Sequence, residues 1–262
     1  MSDLGARVAA AVPLIAFAIF IVVQGGWWFA AGATALALLC LHELYAMLAQ
    51  VRPARLAGIL AVIGLGVAAM LGGPEQVLLV TAASVALTFL LTLAGPAAAG
   101  GVFGMAAVLL GVVWIGLAIA HAIMLRELPH GGGIVAAVLA GTFAGDTGAY
   151  FGGRALGRRR LAPRISPNKT VEGLVCGVLT AVLAVWIVNW YQDWIDTGDA
   201  LILGAAVAVI APVGDLFESF IKRDVGAKDT GRVFGAHGGA LDRLDAVLFT
   251  LVVGYYVWRA ML

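Results

Sequence analysis

Long apolar stretches, repeated along almost the whole chain, are the feature that most restricts how this sequence can fold. Hydrophobic residues make up 62% of the 262 residues, whereas Asp, Glu, Lys and Arg make up only 12%. Each stretch approaches the ~20 residues that a helix needs to cross the hydrocarbon core of a bilayer. Because a backbone exposed to lipid must satisfy its own hydrogen bonds, these stretches are predicted to be helices. The expected fold is therefore all-α, a polytopic integral membrane protein.

About nine spanning helices are predicted, separated by breaks rich in Gly and Pro. Their expected limits are 8–24, 27–48, 56–73, 76–94, 100–125, 132–152, 171–192, 199–221 and 243–261. The chain is interpreted as a single membrane domain, 1–262, in which 1–125 is mainly structural and 132–262 carries the active site. Cys40 and Cys176 fall in apolar runs, so they are interpreted as small buried residues rather than as a disulfide or a metal pair.

The basic residues are segregated between the two predicted sides of the membrane. With the predicted spans, 14 of the 16 Lys and Arg residues fall on the side of the N-terminus. The other side carries Arg126 and Arg259 together with three acidic residues, Asp193, Asp196 and Asp199. Because loops rich in Lys and Arg stay in the cytoplasm, the N-terminus and both large basic loops are predicted to face the cytoplasm from the cell (inner) membrane.

One short segment, 219–245, concentrates charge at a predicted membrane face, which is costly and most often has a functional reason. It reads SFIKRDVGAKDTGRVFGAHGGALDRLD. Four cations suit a polyphosphate, because basic side chains and arginine forks match phosphate oxygens: they are Lys222, Arg223, Lys228 and Arg232. Gly238 and Gly239 free the backbone to approach an anion closely.

The same segment offers carboxylates for a metal ion. Asp242 and Asp245 are three residues apart, hence on one face of a helix that begins there. Carboxylates beside a phosphate-sized basic cluster are what Mg²⁺ needs, with water and substrate phosphate completing its coordination. From charge alone, the alternative is a basic juxtamembrane loop that holds orientation and contacts anionic lipids.

Further polar residues precede this segment. Asp146 lies in a Gly-rich predicted span, where an ionisable group is a functional candidate; the alternative is an Asp paired with a cation for helix association. In the run SPNKTVEG, 166–173, Lys169 can bind phosphate, Thr170 can cap the next helix, and Glu172 lies in its first turn. Gly145 and Gly148 allow a close approach by another helix or a lipid headgroup.

The end of the eighth predicted span carries a polar stripe. Asp215, Glu218 or Ser219, and Lys222 fall at i, i+3 or i+4, and i+7, on one helical face. This face would present an acidic side chain within the membrane and a basic side chain at the end of the helix next to the basic loop. Elsewhere, His42 and Glu43 are interpreted as a polar pair at a helix end rather than as catalytic residues.

These motifs resemble the signature of the phosphatidate cytidylyltransferases, also called CDP-diacylglycerol synthases. The matching positions are Ser219, Lys222-Arg223, Lys228-Asp229, Gly231, Phe234-Gly235, His237-Gly238-Gly239, Asp242-Arg243 and Asp245. The resemblance also includes the motif around Asp146 and the run 166–173, and it covers roughly 142–245. Ala240 departs from the larger aliphatic residue usual in the family, which is a change of packing.

The resemblance implies transfer of a cytidylyl group from CTP to phosphatidate, giving CDP-diacylglycerol and pyrophosphate for phospholipid biosynthesis. It implies Mg²⁺ as a cofactor and leaves open a second, monovalent cation. The implied partners are CTP, phosphatidate, the lipid bilayer and a second copy of the chain in a homodimer. No nucleic acid is expected as a partner.

Roles follow for the residues that match the motifs. The predicted catalytic residues are Asp146, Asp215, Lys222 and Asp242. The predicted metal ligands are Asp215 and Asp242, with Asp146 and Asp245 as nearby alternatives. The remaining predicted residues bind or orient the substrates: Lys169, Ser219, Arg223, Lys228, Asp229, Arg232, His237, Gly238, Gly239 and Arg243.

A secondary transporter or ion-coupled carrier is the alternative from a different class, because Asp146 and Asp215 within spans could form an ion path. Against it, the strongest polar motifs cluster on one side, and no pair of broken helices from inverted halves is evident. A third interpretation is another CTP-using lipid enzyme, such as a polyprenol kinase or an archaeal-type ether-lipid cytidylyltransferase.

Overall fold

The computed structural model describes residues 3–231 and 238–262, with the backbone alone for residues 3–12 and 14. Its main elements are helices, in this chain order: α1 (Asp3–Gln24), α2 (Gly26–Met47), α3 (Arg55–Leu71), α4 (Pro74–Leu93), α5 (Gly101–Gly111), α6 (Leu117–Glu127), α7 (Gly131–Leu156), α8 (Val171–Asn189), α9 (Thr197–Asp224) and α10 (Leu241–Met261). A π-helical turn, Val112–Gly116, joins α5 to α6, and 3₁₀ turns occupy Ala49–Val51 and Pro96–Gly100. Two short strands, β1 (Arg160–Ala162) and β2 (Ser166–Thr170), lie before α8.

Within the described residues, seven helical segments are long and apolar enough to cross a membrane: Gly26–Met47, Pro74–Leu93, Pro96–Glu127, Gly131–Leu156, Val171–Asn189, Thr197–Asp224 and Leu241–Met261. The other two predicted spans coincide with α1 and α3. However, α3 has 17 residues, and α1 offers Ile15–Gln24 as a shorter apolar helix. The all-α, polytopic class is confirmed, whereas the predicted count of nine spans is not.

The chain divides into two compact units. Unit 1 comprises Met1–Glu127 and Val225–Leu244, and unit 2 comprises Leu128–Asp224 and Asp245–Leu262. The charged segment 219–245 is therefore shared, because 219–224 and Asp245 belong to unit 2 and the remainder to unit 1. The predicted single domain, with a structural first part and a site-bearing second part, stays a prediction.

Unit 1 packs around α2. Leu41, Leu44 and Leu65 are fully buried between α2 and its neighbours, where apolar burial and close packing stabilise the unit. The hydroxyl of Tyr45 donates a hydrogen bond to the carbonyl of Val108 at 3.0 Å, so this buried polar group is satisfied. The same unit brings Glu43, near the end of α2, against Thr230, Ala240 and Leu241.

Unit 2 depends on a close contact between α7 and α8. Gly148 of α7 faces the side chain of Thr180, and Gly177 of α8 faces Ala149. Small residues let two helices approach until their backbones nearly touch, which is how helices associate in lipid. Of the two neighbours predicted for Gly148, another helix or a lipid headgroup, the structure shows a helix, α8. This contact positions Asp146, two residues before Gly148.

Substituting Gly148 with Ala tests this packing. A methyl group there would meet the Thr180 side chain, and we expect the free energy of unfolding to fall by about 1–3 kcal/mol because a packed contact is overfilled. Thermal unfolding of the purified protein in detergent measures the change. Gly198→Ala is the control, since a Cβ at position 198 meets nothing within 4 Å. Equal unfolding midpoints for the two variants would contradict the close contact.

Candidate active site

Three carboxylates from three helices of unit 2 are brought together: Asp146 of α7, Asp215 of α9 and Asp245 of α10. They interact electrostatically, since Asp215 repels both Asp146 and Asp245. The approach of α10 to α9 depends on Gly214, because a Cβ at that position would lie 2.6 Å from the carbonyl oxygen of Asp245. A residue with any side chain at position 214 would push the two carboxylate-bearing helices apart.

Two lysines counter this negative charge. Lys169, near the end of β2, forms an ion pair with Asp215 and also attracts Asp146. Lys222 attracts Asp245 and forms an ion pair with Glu218, with 2.6 Å between Nζ and Oε2. Carboxylates in an apolar setting are stable only when paired or hydrogen-bonded. The structure thus places both lysines that were predicted to act on phosphates beside the acidic group.

The polar face of α9 lies as the spacing predicts. The hydroxyl of Ser219 donates to Oδ1 of Asp215 at 3.4 Å, one helical turn apart. The side chains of Lys169 and Asp215 are 26% and 31% exposed, so a ligand can reach the pair. Glu218, by contrast, is 1% exposed. Of the two acids on this face of α9, Asp215 is therefore the accessible one, and Glu218 serves as the buried partner of Lys222.

The loop before α8 forms a β-hairpin that the sequence analysis did not predict. Strands β1 and β2 are antiparallel, with Arg160 opposite Thr170. The side chain of Thr170 caps α8 by accepting a hydrogen bond from the backbone N–H of Gly173 at 3.1 Å, which confirms the predicted cap. Lys169 is therefore part of a paired strand and directly precedes the cap of α8. Both features limit the positions that its amino group can take.

Glu172 has a second function besides its place in the first turn of α8. Its Oε2 accepts hydrogen bonds from the backbone N–H groups of Arg158 and Arg159, at 2.9 and 3.1 Å. These bonds tie the arginine-rich end of the loop to the helix. The guanidinium of Arg223 donates to the carbonyl of Ile165 at 3.2 Å, on the turn of the hairpin.

In unit 1, Asp242 organises the glycine-rich part of the charged segment. Its Oδ2 accepts three hydrogen bonds, from the N–H of Gly239 at 2.8 Å and from the N–H and hydroxyl of Thr230, both at 3.0 Å. Gly238 has a φ of 81°, a left-handed conformation that favours glycine. The predicted metal ligand Asp242 therefore also holds the backbone on either side of 231–238.

Glu43 is the residue whose position the sequence analysis misjudged. It was expected to form a polar pair with His42 at the end of a span, but His42 is exposed and Glu43 is 3% exposed. Side chains at successive helix positions point about 100° apart. The side chain of Glu43 faces the interior of unit 1. There it accepts hydrogen bonds from Thr230, Ala240 and Leu241. The signal available in the sequence was a carboxylate in an otherwise apolar run.

The remaining predicted substrate-binding residues are on the surface or outside the described part of the chain. Lys228, Asp229 and Arg243 are exposed on 225–244 of unit 1. Arg232 and His237 lie outside the residues that the structure describes. Their predicted roles, like those of the other site residues, stay predictions.

The donor atoms suit a hard cation such as Mg²⁺, which binds one or two carboxylates and completes its coordination with water and phosphate oxygens. Asp146, Asp215 and Asp245 supply oxygen donors whose mutual repulsion a cation would relieve. Across residues 3–231 and 238–262, no group of three or more His, Cys, Asp or Glu side chains could hold a metal ion by itself.

Comparison with known proteins decides the family. The model of the cytidylyltransferase family matches residues 5–261, almost the whole chain. The chain belongs to the cytidylyltransferase family. Its match extends well beyond 142–245, so it includes the early helices that the motifs did not cover.

Several curated relatives of this cytidylyltransferase-family protein are similar over part of their length. An uncharacterized protein, YnbB, of Escherichia coli is 36% identical over 160 residues, 59% of this chain and 54% of the relative. A phosphatidate cytidylyltransferase of Pseudomonas aeruginosa is 40% identical over 160 residues, 60% of this chain and 57% of the relative. One of Haemophilus influenzae is 40% identical over 110 residues, 40% of this chain and 38% of the relative. The chain spans about half the length of the first two.

The Glu218–Lys222 pair provides a test of the charge balance in this cytidylyltransferase-family protein. Lys222→Met removes the cation and leaves a carboxylate that is 1% exposed without its ion pair. We expect the free energy of unfolding to fall by about 3 kcal/mol, because removing one partner of a buried ion pair costs more than replacing both partners.

Thermal unfolding in detergent measures this loss, with the double variant Glu218→Gln/Lys222→Met as the control. The double variant removes both charges, so its midpoint should return most of the way to that of the unmodified protein. A double variant no more stable than Lys222→Met would show that the pair is not what stabilises this part of unit 2.

Proposed function

We propose that this chain transfers a cytidylyl group from CTP to phosphatidate, forming CDP-diacylglycerol and releasing pyrophosphate. The observation that carries the proposal is the grouping of Asp146, Asp215 and Asp245 with Lys169 in unit 2. Membership of the cytidylyltransferase family supports the nucleotide. The Pseudomonas and Haemophilus relatives are named phosphatidate cytidylyltransferases, which supports the lipid substrate.

The reaction joins two polyanions. A phosphate oxygen of phosphatidate attacks the α-phosphorus of CTP, the new P–O bond forms, and the bond from the α-phosphorus to the bridging oxygen breaks, so that pyrophosphate leaves. Phosphoryl and nucleotidyl transfer need mainly positioning and neutralisation of charge. No covalent intermediate on the protein is required. Lys169 and Lys222 are the cations that the proposal assigns to the phosphates.

The ion pair of Lys169 with Asp215 suggests how the site accepts its substrates. A phosphate that binds Lys169 would compete with the Asp215 carboxylate for the same amino group. Asp215 would then be released to accept a cation, so that anion and cation enter together. Mg²⁺ held by Asp215, with Asp245 of the same unit as a further predicted ligand, would neutralise the phosphate charges when bound.

The setting of the reaction is part of the proposal. The two lipid-borne partners, phosphatidate and CDP-diacylglycerol, stay in the bilayer, whereas CTP is a cytoplasmic nucleotide. The positive-inside rule puts the basic loops in the cytoplasm, from a cell (inner) membrane. A homodimer is proposed on the family resemblance. A transporter gains no support from the matched family or from the names of the relatives.

Asp215→Asn tests the proposed site directly. The substitution keeps the shape of the side chain but removes the charge that pairs with Lys169. We expect the rate of CDP-diacylglycerol formation to fall about a hundredfold or more, as when a group that stabilises transition-state charge is removed. Conversion of radiolabelled CTP and phosphatidate into labelled liponucleotide by the purified protein measures it.

The matched control is Asp199→Asn, which removes a carboxylate from the first turn of the same helix. This variant should keep the rate of the unmodified protein. Near-normal turnover by Asp215→Asn would remove Asp215 from the site. If the unmodified protein made no liponucleotide from CTP and phosphatidate, the proposed function itself would be wrong.

The proposed orientation is tested by labelling single cysteines with a membrane-impermeant maleimide. Lys228→Cys and Asp193→Cys each place a thiol at an exposed position. We expect Lys228→Cys to react in inside-out vesicles and Asp193→Cys to react in spheroplasts, because the positive-inside rule puts their loops on opposite sides. The parent chain, with Cys40 buried and Cys176 half-buried, sets the background. The reverse labelling pattern would contradict the orientation.

A further inference from the structure

A single carboxylate of α2 accepts hydrogen bonds from residues on both sides of the glycine-rich stretch 231–239. Oε1 of Glu43 accepts a hydrogen bond from the backbone N–H of Ala240 at 3.0 Å, and Oε2 accepts one from Leu241 at 2.9 Å. Oε2 also accepts from the hydroxyl of Thr230 at 3.1 Å. Thr230 precedes the stretch and Ala240 follows it. Glu43 therefore fixes the two points at which the chain enters and leaves this stretch.

The chemistry of these contacts requires a carboxylate. All three partners of Glu43 are donors, and both of its oxygens accept. The N–H groups of Ala240 and Leu241 lie at the start of α10, where helical N–H groups have no partner within the helix and carry partial positive charge. An amide at position 43 would turn its NH₂ group toward one of these N–H groups. The site thus distinguishes Glu from the nearly isosteric Gln.

Two glycines of the stretch lie directly against this carboxylate. A Cβ at Gly231 or at Gly239 would lie 2.7 Å from Cδ of Glu43. Side chains at these positions would displace the carboxylate or lift the backbone from it. The close approach of Glu43 therefore explains why positions 231 and 239 carry glycine, namely Gly231 and Gly239.

Glu43 is also connected to Asp242. The hydroxyl of Thr230 lies 3.1 Å from Oε2 of Glu43 and 3.0 Å from Oδ2 of Asp242. A hydroxyl has one proton to donate and two lone pairs, so the two carboxyl groups are linked through a single shared proton donor. A change at position 43 therefore alters the hydrogen bonding of Asp242, one of the predicted metal ligands.

We propose that Glu43 is a positioning residue for CTP, which acts by holding Thr230, Ala240 and Leu241 in place and, through Thr230, the side chain of Asp242. This inference rests on the proposed function and on the prediction that Lys228 and Arg232, in the same segment, bind a polyphosphate. Glu43 itself is buried and lies beneath the backbone rather than at the surface. Its loss would weaken the binding of CTP without removing any group that contacts phosphatidate.

The contact is tested by hydrogen exchange, which does not depend on activity. In Glu43→Gln, one of the two amides, that of Ala240 or that of Leu241, loses its acceptor, because glutamine keeps a single acceptor oxygen. We expect the exchange of that amide to become about tenfold faster or more, as for a buried donor left unpaired. Peptides that cover 230–241 are compared in detergent for Glu43→Gln and for Glu75→Gln, an exposed carboxylate of the same unit. Equal exchange in these two variants would overturn the proposal.

The functional consequence is tested by steady-state kinetics on the same variants. We expect the KM for CTP to rise about tenfold in Glu43→Gln, with the KM for phosphatidate close to that of Glu75→Gln. A merely structural role would instead raise the KM of both substrates equally, which would overturn the proposal. An unchanged KM for CTP would do the same.

A second pair of variants keeps the test decisive if Glu43→Gln does not fold. Thr230→Val removes the shared hydroxyl and leaves the carboxylate of Glu43 in place, whereas Thr230→Ser retains the hydroxyl. We expect a higher KM for CTP in Thr230→Val and a normal one in Thr230→Ser; equal values in the two would contradict the proposal. If the unmodified protein forms no liponucleotide, the proposed function fails, and faster exchange at 240–241 would then establish the Glu43 contact on its own.

Discussion

Charge in an apolar environment is the constraint on which the described site depends. A charged side chain that leaves water loses its hydration, and only a partner of opposite charge or a set of hydrogen bonds offsets that loss. In unit 2 the partners are ionic, as Lys169 with Asp215 and Lys222 with Glu218 show. In unit 1 the buried carboxylate of Glu43 is satisfied by N–H and hydroxyl donors instead. The two kinds of partner have different consequences. A lysine in an ion pair can bind a substrate phosphate in place of its carboxylate, whereas backbone N–H groups remain bonded to theirs.

The glycines of the chain serve this constraint by letting charged groups and helices come close. Gly214 admits the backbone of α10, Gly148 admits the side chain of Thr180, and Gly239 admits the carboxylate of Glu43. In lipid, where apolar surfaces alone give little reason for helices to associate, such close approach is a main source of packing energy. The same residues therefore contribute to the stability of each unit and to the placement of its polar groups.

The sequence predicted the helical class and the position of each helix well, since apolar runs of spanning length have few alternative structures in a membrane. The predicted count of nine spans is not confirmed, because α3 has 17 residues and the described part of α1 offers only Ile15–Gln24 as a shorter apolar helix. Residues joined by local spacing, such as Asp215 with Ser219 or Thr170 with Gly173, were predictable because one helical turn relates them. Glu43 was not, since its partners lie almost 200 positions further along the chain, and no local periodicity reports such a contact.

The β-hairpin before α8 has a consequence for how the length of this loop can vary. Successive residues of a strand point to opposite faces, so Lys169 and Thr170 in β2 serve two different neighbours, the acid of α9 and the first turn of α8. Inserting or deleting one residue within 166–170 would exchange those two faces and turn the amino group away from its acid. Additions at 163–165, in the turn, leave that alternation intact. Homologous loops of different size are therefore expected to differ at the tip of the hairpin and to keep the spacing of its second strand.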